Sequence, residues 1–330
     1  MQSQLNSVGT PFFYGVFSAI VMVMIVIDML TLKKEGVHKV SSKEALLWTT
    51  VWISVSLGFA VWLYFELLHN PSMGHDVAAD SVMDFLTGYV LEKSLSVDNI
   101  FVFVLIFSYF KVPAAFQHRV LLFGVLGAII LRAIMVGLGA VLVSRFSWVL
   151  YLFGLFLLYS GIKLMLPEKE GNKGLEANPL IKWLHQHFPV SDHFNHEKFF
   201  TVENGKRLAT PLLLALIVIE LSDVVFAVDS IPAVFAVTTD PFIVFTSNIF
   251  AVLGLRAMYF LLANVVEKFV YLKYGLAVVL SFIGGKMLVV KWWHIPSWAS
   301  LAVVFTALLM AILASWWKNC QQPVTHKSVE

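Results

Sequence analysis

Nine runs of about 20 mostly apolar residues divide this chain, and they restrict its fold more than any other feature. A helix needs about 20 such residues to cross the hydrocarbon core of a bilayer. With 59% hydrophobic residues, 13% charged residues and a mean hydropathy of +0.81, the 330-residue chain is predicted to be an all-α polytopic membrane protein with about nine transmembrane helices. The predicted spans are residues 12–32, 45–68, 85–110, 120–144, 148–166, 211–237, 241–264, 274–290 and 297–317.

The placement of positive charges predicts how the chain is oriented. If the N-terminus lies outside, 16 of the 23 Lys and Arg residues fall in inner segments, and two, Arg145 and Lys291, fall in outer segments. Cytoplasmic loops carry an excess of Lys and Arg, so we predict an outer N-terminus and a cytoplasmic C-terminus. The first apolar run follows ten residues without Lys or Arg and has no small-residue cleavage site, so we expect a retained helix.

Two copies of an acidic motif interrupt the third and sixth apolar runs. The first copy is Glu92-Lys-Ser-Leu-Ser-Val-Asp98-Asn99, and the second is Asp223-Val-Val-Phe-Ala-Val-Asp229-Ser230. A charged side chain at bilayer depth costs at least a few kcal/mol and usually has a function. We therefore predict that the two copies form the two halves of one site.

Further short sequences recur after each motif in the same order. Gly-Val-Leu-Gly127 matches Ala-Val-Leu-Gly254, and Leu-Arg132-Ala matches Leu-Arg256-Ala. Because three helices make each unit, the second would enter the membrane from the opposite side, which predicts an inverted repeat with a site at mid-membrane. The predicted division is 1–83 for two N-terminal transmembrane helices, 84–166 for the first repeat, 167–210 for a cytoplasmic loop, 211–292 for the second repeat, and 293–330 for the final helix and tail.

The acids of these motifs are the predicted metal ligands. Carboxylate and carbonyl oxygens suit divalent cations such as Mn²⁺, Mg²⁺ and Ca²⁺ better than soft copper(I). We expect a helix break near Asp98 or Asp229, because acids six residues apart on a straight helix face about 120° apart and Pro232 removes a helical hydrogen bond. The predicted metal ligands are Glu92, Asp98, Glu220, Asp223 and Asp229, supported by Asp28, Lys93, Asn99, Arg132, Ser230, Asn248 and Arg256.

Structural alternatives exist for each of these groups. The acids could form buried salt bridges with the five intramembrane cations, Lys93, Arg132, Lys163, Arg256 and Lys286. Buried pairs stabilise poorly, so we favour a mixed interpretation in which Arg132 and Arg256 hold carboxylates while no ion is bound. Asp28 could relay protons or ions, or form a structural hydrogen bond. The side chains of Asn99, Ser230 and Asn248 could ligate an ion, or could join helices through hydrogen bonds.

Histidines cluster in the predicted cytoplasmic loop, at His185, His187, His193 and His196. Imidazoles at such spacing can bind or sense a transition metal. The simpler alternative is a solvated loop.

Taken together, the motifs resemble the TerC family, most closely its Alx-like branch. The resemblance covers most of residues 84–290 and rests on both acidic motifs, on Ser108-Tyr-Phe-Lys-Val-Pro113, on Glu220-Leu-Ser-Asp223, on Thr-Thr-Asp240-Pro-Phe and on Gly254-Leu-Arg256-Ala-Met-Tyr. The resemblance implies a bacterial inner-membrane protein linked to Mn²⁺ efflux and the response to alkaline pH. The N-terminus, which the positive charges place outside, is then expected to be periplasmic. The family's acidic positions fall on Glu92, Asp98, Glu220, Asp223 and Asp229. The histidine-bearing loop is not one of its signatures.

We expect a secondary exporter of Mn²⁺, with proton exchange as a plausible driving force, because the chain has no nucleotide-binding motif. The alternatives are a membrane-bound redox modulator, a tellurite or stress-resistance factor, and a factor that loads metal onto exported proteins. Cys320 is the only cysteine, which excludes an internal disulfide and argues against redox chemistry by this chain alone. We expect no enzymatic activity, no permanently bound cofactor and no nucleic-acid partner; the expected partners are the lipid bilayer, a divalent metal ion and protons.

Overall fold

The computed structural model of the protein describes residues 7–35, 41–70, 74–146, 148–165, 190–191, 193–195, 197–203, 206–263, 271–289, 292 and 295–321. This part of the chain is mostly helical and contains one antiparallel pair of strands. The helices are α1 (Pro11–Glu35), α2 (Ser42–His69), α3 (His75–Tyr109), α4 (Ala114–Arg145), α5 (Val149–Met165), α6 (Pro211–Val237), α7 (Pro241–Leu253), α8 (Leu255–Leu262), α9 (Leu272–Val289) and α10 (Ser297–Gln321). The strands, β1 (Phe200–Glu203) and β2 (Lys206–Ala209), lie between α5 and α6 in the sequence.

The chain is a polytopic helical membrane protein. Among the described residues, six helices are long and apolar enough to cross a bilayer, namely α1, α2, α4, α6, α9 and α10. The consecutive helices α7 and α8 meet the same criterion together, with a bend of 43° between them. Helix α3 carries Glu92, Lys93 and Asp98 within its apolar stretch, and α5 has only 17 residues. Each predicted span coincides with a helix or with this bent pair, whereas nine crossings and the five-part division of the chain stay predictions.

The third helix begins ten residues before its predicted start. It was predicted from residue 85, but α3 starts at His75 and includes Asp76, Asp80 and Asp84. These three acids recur every four residues and therefore lie along one side of the first turns. Hydropathy ends a predicted span at the first charges, although carboxylates near a helix N-terminus interact favourably with its dipole.

The helix break lies at Gly254 and not at the acidic motifs. Helix α3 runs without interruption through Asp98, and α6 continues through Pro232. At the end of α7, the carbonyl of Ala251 accepts a hydrogen bond of 3.0 Å from Lys93 Nζ. In a continuous helix this carbonyl would accept from the N–H four residues later. A Cβ at Gly254 would lie 2.5 Å from Lys93 Nζ, so glycine makes room for the ammonium group.

A β-hairpin lies within the segment that was predicted to be a cytoplasmic loop. Strands β1 and β2 pair antiparallel, with Phe200 opposite Ala209 and Val202 opposite Arg207. The prediction of an all-α chain missed this pair. The sequence did contain a hairpin signal, because Asn204-Gly205 separates two short stretches and Asn-Gly favours tight hairpin turns.

Helices α5 and α9 pack closely through glycines. A Cβ at Gly154 would lie 3.1 Å from the carbonyl O of Gly284, and one at Gly161 would lie 2.8 Å from that of Ala277. Small residues let membrane helices approach until their backbones touch. Helices α3, α4, α6 and α7 contact one another beside this pair and form the part of the core that holds the candidate site.

Candidate functional site

Arg132 is the centre of a buried polar cluster. Its guanidinium binds Asp223 through two hydrogen bonds, from Nε to Oδ2 at 3.2 Å and from Nη2 to Oδ1 at 3.0 Å. Nη1 also donates to Glu92 Oε1 and, at 2.7 Å, to Asn248 Oδ1. Asn248 Nδ2 in turn donates to Glu92 Oε2 at 3.3 Å. One guanidinium thus joins two carboxylates and an amide.

Four helices bring this cluster together, and water has almost no access to it. Glu92 lies on α3, Arg132 on α4, Asp223 on α6 and Asn248 on α7, and their exposed fractions are 1%, 1%, 3% and 0%. The planar fork of arginine matches two carboxylate oxygens, which explains the paired bonds to Asp223. Two carboxylates against one guanidinium leave one excess negative charge in a buried environment, where charge is expensive. The first acid of each motif therefore reaches the same cation.

Glu220 lies beside this cluster in a recess made by a glycine. A Cβ at Gly127 on α4 would overlap the Glu220 carboxylate. The Oε2 atom of Glu220 is buried and has no hydrogen-bond partner among the described residues. An acceptor that is buried without a donor loses its hydration and gains nothing in return. A cation is one ligand that would satisfy this oxygen.

The second acid of each motif is described only by its backbone. Asp98 lies within α3 and Asp229 within α6, but their side chains lie outside the described part of the structure. Their neighbours Asn99 and Ser230 are each 2% exposed. The Oγ atom of Ser230 is buried, and it neither accepts nor donates a hydrogen bond within the described region.

Arg256 forms a separate ion pair with the supporting acid Asp28. Its Nη2 donates to Asp28 Oδ1 at 2.7 Å, and both side chains are buried. Nη1 lies 2.5 Å from His118 Nε2 on α4. Because a guanidinium only donates, the imidazole accepts through Nε2 and is neutral in this arrangement. Arg256 thus joins α1, α4 and α8. No sequence pattern indicates this role for His118, since a single histidine near a helix start has no distinguishing neighbours.

The three lysines predicted to lie within spans take no part in these ion pairs. Lys93 bonds the Ala251 carbonyl, and Lys286 Nζ donates to Ser300 Oγ at 2.8 Å. Lys163 is exposed on α5. Among the described contacts, the salt-bridge interpretation therefore applies to Arg132 and Arg256.

The described acids and histidines do not by themselves form a metal-binding cluster. Within the described side chains, no three His, Cys, Asp or Glu residues lie close enough together to hold a metal ion. Asp98 and Asp229 are not among those side chains. His185, His187 and His196 also lie outside the described residues, and His193 is exposed.

Two glycines that make room for charged side chains carry a signal in the sequence. Gly127 and Gly254 end the two recurring Val-Leu-Gly stretches. Each of them opens the space that a charged side chain occupies, Glu220 at Gly127 and Lys93 at Gly254. The signal is that a glycine recurs at the same place in both stretches.

Comparison with known proteins identifies the family. The family model described as "Integral membrane protein TerC family" matches residues 77–322. "Putative membrane-bound redox modulator Alx" of Escherichia coli strain K12 is 53% identical over 315 residues, which cover 96% of this chain and 97% of its own length. The protein of the same name from Photorhabdus laumondii is 50% identical over 315 residues, 96% of this chain and 98% of its own.

A more distant relative extends the match beyond these two bacteria. "Uncharacterized membrane protein STKORF319" of Myxococcus xanthus is 47% identical over 320 residues, 97% of this chain and 96% of its own. No solved structure matches the chain. The family match covers most of the chain, and the relatives align over nearly their full lengths. The resemblance seen in the acidic motifs is therefore confirmed, and the chain belongs to the TerC family of integral membrane proteins.

Proposed function

We propose that this protein is a secondary exporter of divalent metal ions, with Mn²⁺ as its substrate, in the bacterial inner membrane. In this proposal the N-terminus is periplasmic, the C-terminus is cytoplasmic and all nine helical segments cross the bilayer. The metal ligands are Glu92, Asp98, Glu220, Asp223 and Asp229. The protein has no enzymatic activity and holds no permanent cofactor.

The observation that carries the proposal is the buried bridge from Arg132 to Glu92 and Asp223. A buried ion pair contributes little stability compared with apolar packing, so a purely structural role is a weak explanation for it. A guanidinium held between two carboxylates occupies the position that a divalent cation would take. Arg132 therefore offsets one of the two negative charges while no substrate is bound, and the substrate replaces it.

The helical register supports a site with two layers of acids. Helices α3 and α6 run antiparallel. A Cβ at Gly88 in the first half of α3 would lie 3.1 Å from Val234 Cγ1 near the end of α6. Ile100 in the second half of α3 shares a hydrophobic cluster with Leu212 near the start of α6. At about 1.5 Å per residue from the Gly88–Val234 contact, Asp98 is about level with Asp223. Asp229 is likewise about level with Glu92. One layer would then lie nearer each side of the membrane, with Arg132 between them.

Contacts between α5 and α9 support two inverted repeats. The stretches Ser-Gly161-Ile-Lys163 and Ile-Gly284-Gly-Lys286 also recur, so Gly161 corresponds to Gly284, and seven residues earlier Gly154 corresponds to Ala277. Gly161 faces the Ala277 carbonyl, while Gly284 faces the Gly154 carbonyl. This exchange of equivalent partners is what a two-fold axis between two units would produce. Rocking of one unit against the other would then expose the acids to each side in turn.

Protons are the proposed counter-substrate. A carboxylate must be ionised to bind a cation, so protons and metal compete for the same oxygens. A proton entering from outside would release the metal there. No nucleotide-binding motif occurs in the sequence, so the proposal uses an ion gradient.

Direct measurement of manganese tests the proposal. Cells that produce the protein should accumulate less manganese under a manganese challenge than cells that lack it. Purified protein in liposomes should move Mn²⁺ across the bilayer when a pH difference is imposed. Equal manganese contents with and without the protein, together with inactive liposomes, would refute the exporter function.

A redox modulator is the second candidate, because relatives with 50% and 53% identity carry that description in their names. The single cysteine of this chain cannot form an internal disulfide couple, so such a protein would act through a partner. The two candidates differ in their primary effect. A redox modulator would change the thiol-disulfide ratio of other membrane proteins while the manganese content stayed constant.

A further inference from the structure

The β-hairpin has one face that combines positive charge with exposed apolar side chains. Side chains alternate between the two faces of a strand, so Phe200 and Val202 point the same way. Arg207 is the cross-strand partner of Val202 and shares that face. Phe200 is 59% exposed and Val202 is 65% exposed. Together with Lys198, two residues before Phe200, these side chains line a cavity.

This cavity has a volume of about 560 Å³, and Asn195 and Thr201 complete the polar part of its lining. Neither Lys198 nor Arg207 has an acidic partner among the residues that the structure describes. Of the two described acids nearby, Glu197 pairs with Arg119, and Glu203 points to the opposite face of β1 from Val202, where it accepts from Ser191 Oγ. The described lining of the cavity therefore carries two positive charges and no negative one.

The hairpin is fixed against the ends of two membrane-spanning helices. Thr210, which precedes α6, donates from its backbone N to the Phe199 carbonyl at 3.0 Å. The Phe199 ring contacts the ring of Phe123 on α4 at a centroid distance of 5.2 Å, and the Arg119 guanidinium lies 5.7 Å from the Phe199 centroid. Because α4 and α6 both qualify as membrane spans by length and composition, the hairpin adjoins the ends of two such helices, where lipid headgroups would lie.

We propose that this face of the hairpin binds the headgroup of an anionic phospholipid. Lys198 and Arg207 bind the phosphate, and the fork of arginine suits two phosphate oxygens. Phe200 and Val202 enter the boundary between headgroups and acyl chains, as apolar residues of interfacial segments do. The site is separate from the acidic cluster and does not depend on what that cluster transports.

The test uses the full-length protein purified in detergent, with phosphatidylglycerol and phosphatidylcholine as the two probes. Native mass spectrometry would measure the affinity for each lipid. Each cation near an anionic lipid surface contributes about fivefold in affinity, so Lys198→Ala with Arg207→Ala should weaken phosphatidylglycerol binding by about 25-fold. Phosphatidylcholine binding should be unchanged. Lys198→Arg with Arg207→Lys should retain binding, which separates charge from misfolding.

Lys43→Ala with Arg145→Ala is the matched control, because it removes the same charge from two exposed helix ends. It should leave phosphatidylglycerol binding intact. Equal phosphatidylglycerol affinity in the wild-type protein and in the Lys198→Ala, Arg207→Ala variant would overturn the proposal. Full displacement of the lipid by millimolar inorganic phosphate would also overturn it, since the site would then recognise a soluble anion.

Discussion

Lys93 Nζ on α3 donates its hydrogen bond to the carbonyl of Ala251, three residues before the break at Gly254. Lys93, which belongs to the first acidic motif, thus caps the end of α7, the helix that follows the second acidic motif.

Lys93→Met removes the donor but keeps a side chain of similar length, so the Ala251 carbonyl loses its partner at a cost of about 1–3 kcal/mol. We expect a lower unfolding temperature in detergent. Lys163→Met, an exposed lysine on α5, should change stability by less than about 0.5 kcal/mol. Equal effects of the two changes would contradict the capping role.

The second acids of the two motifs are the sharpest test of export. We predict that Asp98→Asn and Asp229→Asn each abolish manganese tolerance while the protein still reaches the membrane. Asparagine nearly preserves the shape but removes the charge that would bind the cation. Asp76→Asn, at the exposed start of α3, is the control and should leave tolerance intact. Normal export by both motif variants would mean that these acids are structural.

Arg132 should be replaceable by the substrate. Arg132→Gln leaves Glu92 and Asp223 without their cation, which should destabilise the protein by about 3–5 kcal/mol. Arg132→Lys keeps the charge but loses the planar fork, so an intermediate loss is expected. Added Mn²⁺ should raise the unfolding temperature of the Arg132→Gln variant more than that of the wild type. In the variant, Mn²⁺ does not compete with a guanidinium for the carboxylates. Destabilisation without rescue by Mn²⁺ would separate these acids from the metal site.

The recess at Gly127 predicts a difference between two glycines of one helix. Gly127→Ala must displace the Glu220 carboxylate, so we expect reduced Mn²⁺ export. A Cβ at Gly137 on the same helix would meet no atom within 4 Å. Gly137→Ala should therefore preserve export and could raise helix stability by up to about 1 kcal/mol. Transport rates in liposomes, normalised to the amount of protein, would show the contrast. Wild-type rates for Gly127→Ala would exclude Glu220 from the transport site.

Acidity should weaken metal binding. A protonated carboxylate cannot ligate a cation, so the apparent Mn²⁺ affinity of the purified protein should rise with pH. Each proton that the metal displaces would contribute up to about tenfold per pH unit. Binding titrations from roughly pH 5.5 to 8.5 would measure this slope. A flat affinity over that range would rule out proton exchange through these acids.

Apolar length and the recurring motifs made much of the architecture predictable. Hydropathy identified every helical segment of the described chain, because burying backbone polar groups in lipid permits few alternatives. It misplaced the start of α3, since Asp76, Asp80 and Asp84 give a helical stretch the composition of a loop. The break at Gly254 could not be predicted, because it depends on a lysine 161 positions earlier in the sequence.

The partners of buried charges were also beyond the sequence. Recurrence singled out Arg132 and Arg256 as equivalent, but Arg132 meets both acidic motifs while Arg256 pairs with Asp28 on α1. Helix α1 lies outside the recurring sequences, so nothing in their order indicated this contact. Which helix faces which is decided by tertiary packing, and motif spacing along a chain does not contain that information.

The two glycine recesses determine how the halves of this protein can be combined. The recess at Gly127 admits a carboxylate from the later half, and the recess at Gly254 admits an ammonium group from the earlier half. An assembly of two earlier halves would bury two ammonium groups at these positions, and an assembly of two later halves would bury two carboxylates. Only the unlike combination places one negative and one positive charge in the two recesses, so a second copy of either half is a poor substitute for the other half.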